Sequence, residues 1–94
     1  MKYLDWDEVK NQQLKGSRGI SFEEVVLAIS EGNLLGIIEH TNKERYRNQQ
    51  IFIVNIEDYI YLVPFIEDSD KYFLKTIFPS RKMTKKYLIE RKPL

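Results

Sequence analysis

The stretch Ile51–Phe65, IFIVNIEDYIYLVPF, decides the fold class because it holds two strand-forming runs joined by the short link Glu57-Asp58. Branched and aromatic side chains dominate both runs, as is typical of β-strands. A link this short joins antiparallel neighbours. Because Ile51–Val54 is apolar on both faces, we expect it inside the sheet, with helices on one face and another element covering the other. Pro64 cannot donate a ladder hydrogen bond, so we expect a bulge or a sheet edge there.

Two further runs flank this hairpin. LLGIIEH begins at Leu34, and YFLKTIF begins at Tyr72, after the acidic turn Glu67–Asp70. We interpret each run as one strand, so the four strands form an antiparallel meander. The length of 94 residues is sufficient for one core, and residues 1–94 are therefore predicted to be a single domain.

A helix over about 22–31 precedes the meander. Ser21 followed by Glu24 is the pattern of a capping box, and Ile20 is placed to pack against Val25 as a hydrophobic staple. Gly32 suits a left-handed C-terminal cap. The fold class is therefore α+β.

An earlier helix is predicted over about 6–15, after a short strand at 1–4. Asp5 is its expected N-cap, with Glu8 in the acidic first turn. Trp6, Val9 and Leu14 would face the core. Together, the pattern predicts an antiparallel sheet of four to five strands covered by two N-terminal helices.

A basic helix is predicted to end the chain. Pro79 and Ser80 stop the last strand, and Ser80 or Thr84 can cap the helix. Residues 71–94 contain eight Lys or Arg and one acid, giving +7, whereas residues 1–70 carry −6. This asymmetry favours a docking surface for phosphates or for an acidic protein, although a solvated face that forms weak ion pairs is the alternative.

Composition excludes several kinds of site. The chain has no Cys and one His, so it cannot form a thiolate or histidine-rich metal site. It also lacks a G-x-S-x-G motif and a glycine-rich phosphate loop. We expect no cofactor and no metal. No signal-like or membrane-spanning apolar segment occurs, so a cytoplasmic location without membrane association is expected.

The remaining chemistry is phosphate chemistry carried out by cations. RNA is cleaved through its own 2′-hydroxyl when a base, a cation and a proton donor are brought together. Arg81 and Lys82 lie where the last strand meets the last helix, and the polar loop 41–50 supplies further groups. The candidate catalytic residues are Arg81, Lys82, Arg45, Arg47, His40 and Glu44. The candidate RNA-binding residues are Lys75, Lys85, Lys86, Lys43 and Tyr46, whose ring could stack on a base.

Three short motifs resemble a known family. Trp6-Asp7 with Lys10, the block Gly19–Val25 and the block Ser80–Thr84 resemble the BrnT-like toxins, which are small bacterial ribonucleases of type II toxin–antitoxin modules with a RelE-like fold. Glu44-Arg45 is similar to a Glu-Arg pair of that family.

The chain also differs from the family pattern at four positions. Leu14 stands in place of an Asn, Ser17 and Arg18 in place of a Lys-His pair, and Thr76 in place of an Arg on the last strand.

The resemblance implies a metal-independent endoribonuclease that inhibits translation and growth. It also implies a cognate antitoxin, typically a ribbon-helix-helix DNA-binding protein, in a possible toxin–antitoxin heterotetramer. The alternative is a non-catalytic module that binds RNA or an acidic protein through the same cationic C-terminal face.

Overall fold

A six-stranded sheet is the central element of residues 2–89, the part of the chain that the computed structural model describes. In chain order the elements are β1 (Tyr3–Trp6), α1 (Glu8–Arg18), α2 (Phe22–Ser30), β2 (Leu34–Glu39), β3 (Gln49–Ile56), β4 (Tyr59–Glu67), β5 (Lys71–Leu74), β6 (Phe78–Pro79) and α3 (Arg81–Thr84), followed by a π-helical turn at Lys85–Ile89. The strand order is β1-β5-β4-β3-β2, and β6 pairs with β4. The predicted α+β class and antiparallel meander are confirmed.

The β3–β4 hairpin is the longest ladder of the sheet and is formed as predicted. It is in register from Gln49 opposite Ile66 to Ile56 opposite Tyr59. Both turn residues have positive φ, 52° at Glu57 and 63° at Asp58. Two left-handed residues in succession are the geometry of a type I′ turn, whose twist matches that of the strands.

Side chains on both faces of the central strands β3 and β4 are buried. Phe52 and Phe65 stack with 3.8 Å between ring centroids, and they share one core cluster with Phe22 and Val25 of α2. Side chains alternate along a strand, so Ile53 belongs to the opposite face, where it is also fully buried. The C-terminal helix α3 packs against β4.

The N-terminal region differs from the prediction because β1 continues to Trp6. Asp7, and not Asp5, caps α1 by accepting a hydrogen bond from the Val9 amide at 2.9 Å. Leu14 faces the core. Asn11, three positions earlier, lies on the same side of the helix as Leu14, whereas Val9, five positions earlier, lies on the other side. Asn11 is therefore buried and Val9 is 66% exposed, so the prediction for Val9 was wrong.

Trp6 reaches the core from the end of a strand and not from a helix. Its ring stacks on Phe22 with 5.6 Å between centroids. The first helix also extends past the predicted end at Lys15 and stops at Gly19, which has the left-handed φ of 64°.

The second helix agrees closely with the sequence. Ser21 caps it, and the reciprocal bond from Glu24 completes the predicted capping box. Gly32 follows it with φ of 87°, as expected for a left-handed C-terminal cap.

The predicted fourth strand of the meander is two strands. β4 pairs with β5 as far as Phe65 opposite Leu74, and it pairs with β6 from Leu62 opposite Phe78. The register shifts between these two pairs, so residues 75–77 lie outside the ladder. Pro64 lies opposite this break: its carbonyl accepts the Lys75 amide at 2.8 Å, but it has no N–H to donate in return. The irregularity expected at Pro64 is therefore present, on the β5–β6 side only.

The division into β5 and β6 gives the sheet six strands, one more than the predicted four to five, and the sheet also contains one parallel pair. β1 runs parallel to β5, from Tyr3 opposite Lys71 to Trp6 opposite Leu74. Side chains reinforce this edge, because Lys71 contacts Asp5 at 3.3 Å. Within residues 2–89, no helix is long and apolar enough to cross a membrane.

Candidate RNA-binding cleft

An open cleft of about 720 Å³ lies at the end of the sheet where β2 leads into β3. The connection 40–48 forms one wall, and the beginning of β3 and the end of β4 form the other. The residues that line it are Glu39, His40, Lys43, Glu44, Tyr46, Arg47, Asn48, Gln49, Gln50 and Glu67. Five of the predicted site residues, His40, Lys43, Glu44, Tyr46 and Arg47, are therefore brought together.

Asn42 gives this connection its shape. Its side-chain oxygen accepts the Arg45 amide at 3.2 Å, and its carbonyl accepts the Tyr46 amide at 2.9 Å. The carbonyl of Tyr46 in turn accepts the Gln49 amide at 3.0 Å, which leads the chain into β3. Asn side chains that bond to the backbone a few residues on are a common means of ordering a turn.

Two rings form the apolar part of the cleft. His40 and Tyr46 lie with their centroids 4.2 Å apart and their planes inclined by 30°. The Arg45 guanidinium lies 5.3 Å from the Tyr46 centroid, within the range of a cation–π contact. Arg45 does not line the cleft, so it supports the ring pair from outside and is not placed to hold a phosphate within it.

The hydrogen bonds of His40 limit its chemistry. Its Nδ1 accepts the Asn42 amide at 3.2 Å, so the proton of the neutral ring resides on Nε2. In this arrangement the His40 ring can stack on Tyr46 and donate a hydrogen bond from Nε2.

The charged groups of the cleft divide into paired and unpaired. Lys43 forms an ion pair with Glu39, and Glu67 forms one with Lys2. Among residues 2–89, neither Glu44 nor Arg47 forms an ion pair. A carboxylate and a guanidinium that form no ion pair within the described part of the chain therefore line the same cleft as the ring pair.

The two remaining catalytic candidates, Arg81 and Lys82, are exposed residues of α3 at the other end of the sheet. Ser80, the residue before them, donates its amide to the Ile60 carbonyl at 2.9 Å. Ile60 is near the start of β4, and the cleft is at the end of that strand. The seven residue steps from Ile60 to Glu67 span more than about 20 Å. The structure therefore does not combine all six catalytic candidates in one site.

Among the other predicted RNA-binding residues, Lys75 lies between the two ends of the sheet. Its ammonium is 5.4 Å from the Phe73 ring centroid, and the residue is exposed. Lys85 and Lys86 are exposed on the π-helical turn after α3, so they share the surface of Arg81 and Lys82. Arg91 and Lys92, which add to the sequence charge, lie outside the described residues.

Sequence reasoning missed two features. Arg18 donates from Nη1 to the carbonyl of Ile77 at 2.5 Å, which joins the end of α1 to the segment before α3. The amides of Asn48, Gln49 and Gln50 were not considered as part of a site, because their sequence context shows only a polar loop entering a strand. Within residues 2–89, no group of three His, Asp or Glu is arranged to hold a metal ion.

Comparison of the chain with protein-family models, with curated proteins and with solved structures found no match. The resemblance to BrnT-like toxins consequently depends on the short sequence motifs alone and stays a prediction.

Proposed function

We propose that the protein is the RNA-cleaving toxin of a type II toxin–antitoxin pair and that it cleaves RNA in the cleft beside the β2–β3 connection. The assignment as a toxin relies on the sequence motifs. The observation that carries the proposed chemistry is the presence of Glu44, Arg47 and the His40–Tyr46 ring pair in one cleft. These groups supply a base, a phosphate clamp and a surface on which a nucleobase can stack.

The reaction proposed is transesterification within the RNA. The Glu44 carboxylate takes the proton of the 2′-hydroxyl, and the oxygen attacks the adjacent phosphorus. Arg47 donates hydrogen bonds to the non-bridging oxygens, where negative charge increases in the transition state. The bond from phosphorus to the 5′-oxygen breaks, and the Lys43 ammonium gives that oxygen its proton. The products are a 2′,3′-cyclic phosphate and a 5′-hydroxyl.

The surface of Arg81, Lys82 and Lys86 has a separate role in this proposal. Exposed cations attract the phosphate chain and fix its path without reading its sequence. An acidic segment of an antitoxin would find the same complementary charge. Binding of RNA and docking of an antitoxin would thus involve the C-terminal surface, while cleavage would take place at the other end of the sheet.

Cleavage of end-labelled RNA in the presence of a chelator tests the assignment. Glu44→Gln is expected to lower the cleavage rate about 10²- to 10⁴-fold, as for loss of a general base, without loss of RNA binding. Arg81→Ala is expected to weaken binding while the rate at saturating RNA is kept. Glu31→Gln, an exposed residue outside the cleft, is the matched control. The opposite pattern, with Arg81→Ala inactive and Glu44→Gln active, would move the site to α3.

The second candidate is the non-catalytic binding module, and the separation of Arg81 and Lys82 from the cleft favours it. A module of this kind would bind RNA with strong salt dependence, because the release of counterions drives association whether or not chemistry follows. It would bind RNA and 2′-deoxy analogues of the same sequence without cutting either. Intact labelled RNA at every protein concentration would select this candidate over the nuclease.

A further inference from the structure

We propose that the cleft beside the β2–β3 connection selects an unpaired adenine base, an inference that depends on the proposed binding of RNA there. It arises from groups in the cleft that the cleavage reaction does not use. Asn48, Gln49 and Gln50 line the cleft, and their side-chain amides make no hydrogen bond with any residue of 2–89. Primary amides in a cleft with a stacking surface are suited to read the edge of a base.

The ring pair provides the stacking surface. His40 and Tyr46 both line the cleft, and the contact of Arg45 with Tyr46 supports the pair from outside. Stacking on aromatic rings requires an unstacked base, so a duplex is excluded and a single strand is accepted. Purines have the larger ring system and gain more from this contact than pyrimidines do.

The amides then distinguish between the purines. Gln50 is paired with Glu39 across β2 and β3, so both side chains point to the same face of the sheet beside the cleft. An amide has one acceptor and two donors, which complements the N6 amine and N7 of adenine; the corresponding edge of guanine has two acceptors.

Carboxylates would favour bases with exposed amines, but two of them are already engaged. Glu39 pairs with Lys43 and Glu67 with Lys2. The third carboxylate of the cleft, Glu44, is assigned to the proton transfer of the proposed cleavage, so the uncommitted amides are left to select the base.

The adenine could belong to RNA or to a free adenine nucleotide, since both present the same ring. Binding of fluorescent 2′-deoxy oligouridylates with one central A, C, G or U measures the selection without cleavage, because the nucleophile is absent. We expect the A-containing probe to bind about 10-fold more tightly than the others, which is the usual value of one bidentate base contact. Competition by AMP at similar concentrations would identify the free nucleotide as a ligand, whereas competition only by the oligonucleotide would identify RNA.

Three variants connect the preference to the cleft. Gln50→Ala is expected to remove the preference for adenine, and His40→Ala to weaken binding of all four probes. Gln13→Ala, on the exposed surface of α1, is the matched control. If Gln50→Ala does not fold, Gln50→Glu keeps the size of the side chain and removes its donors, and it should move the preference from A towards C.

The outcomes separate this inference from the proposed function. Equal binding of the four probes by the wild type, or an adenine preference that Gln50→Ala retains, overturns the inference. Cleavage of unmodified RNA without any base preference would leave the nuclease assignment intact while the inference fails. An adenine preference without cleavage would support the inference and contradict the nuclease.

Discussion

The hydroxyl of Thr84 attaches the C-terminal helix to the sheet, and its removal should destabilise the whole domain. Thr84 Oγ1 accepts the Ile60 amide at 2.8 Å and donates to the Ser80 carbonyl at 2.8 Å, in a side chain that is 8% exposed. In Thr84→Val the shape is kept, but the Ile60 N–H is left buried without a partner. The Ser80 carbonyl still accepts the Thr84 amide at 2.9 Å. One orphaned donor costs about 1–3 kcal/mol in free energy of unfolding.

Urea denaturation followed by Trp6 fluorescence measures this loss. A change of 1 kcal/mol also lowers the melting temperature of a domain of this size by about 4–8 °C. Thr41→Val makes the same change at an exposed position and should stay within about 0.5 kcal/mol of the wild type. If Thr84→Val and Thr41→Val are equally stable, the Ile60 amide has another partner and the assigned anchor is wrong.

Three further predictions concern stability. The Asn11 amide donates to Glu23 at 2.8 Å, and this bond is the largest cause of the lowered pKa of Glu23. The bond therefore stabilises the fold at a pH above the ordinary carboxyl pKa. Its contribution is lost as the pH falls through the pKa that Glu23 has in the folded protein. Urea titrations should therefore show that the difference in free energy of unfolding between wild type and Asn11→Ala becomes smaller below about pH 4.5. A difference that does not depend on pH would contradict this prediction. Replacement of Glu57-Asp58 by Asn-Gly should raise the free energy of unfolding by about 1 kcal/mol, because both residues have positive φ; a lower urea midpoint would refute this. Arg18→Met, which loses the bond to Ile77, should cost about 1 kcal/mol by the same measurement, and no change would show that the bond contributes nothing.

The local parts of the fold could be predicted from the sequence because their causes are local. The Ser21–Glu24 capping box and the Glu57-Asp58 turn are each determined by residues a few positions apart, and both are formed. The β1–β5 pair was not predicted, since it joins segments more than 60 residues apart and no short-range pattern specifies it. The break after Leu74 was missed because its cause, Pro64, is on the neighbouring strand.

The position of Asn11 shows a different limit. Hydropathy favoured Val9 for the core, whereas the buried residue is the amide that accepts the Phe22 N–H at 2.8 Å. That N–H is one of the donors that the start of α2 leaves without a helical partner, so the burial of Asn11 satisfies a backbone group. A polar residue becomes a core residue when tertiary structure brings such a donor to it, and this information is absent from residue type.

The candidate site was predicted in part, for a similar reason. The polar loop was recognised from its composition, and the structure brings His40, Glu44, Tyr46 and Arg47 to one cleft. The structure does not place Arg81 in the same cleft. The sequence shows that Arg81 follows the last strand, but it does not show at which end of the sheet that strand finishes.

The charge asymmetry of the chain therefore indicates where a polyanion would be attracted and leaves open where it would react. Attraction between exposed charges acts over about 10 Å at 0.1 M salt, whereas a proton is transferred only between groups about 3 Å apart. Arg81 and Lys82 follow Ser80, which bonds to Ile60 about 20 Å along β4 from the cleft, so the proton transfers proposed there are assigned to other groups. A partner that neutralised only those cations would weaken the binding of long RNA but leave the cleft accessible to a short oligonucleotide. Inhibition of a nuclease active in the cleft would require a partner that also contacts the β2–β3 connection.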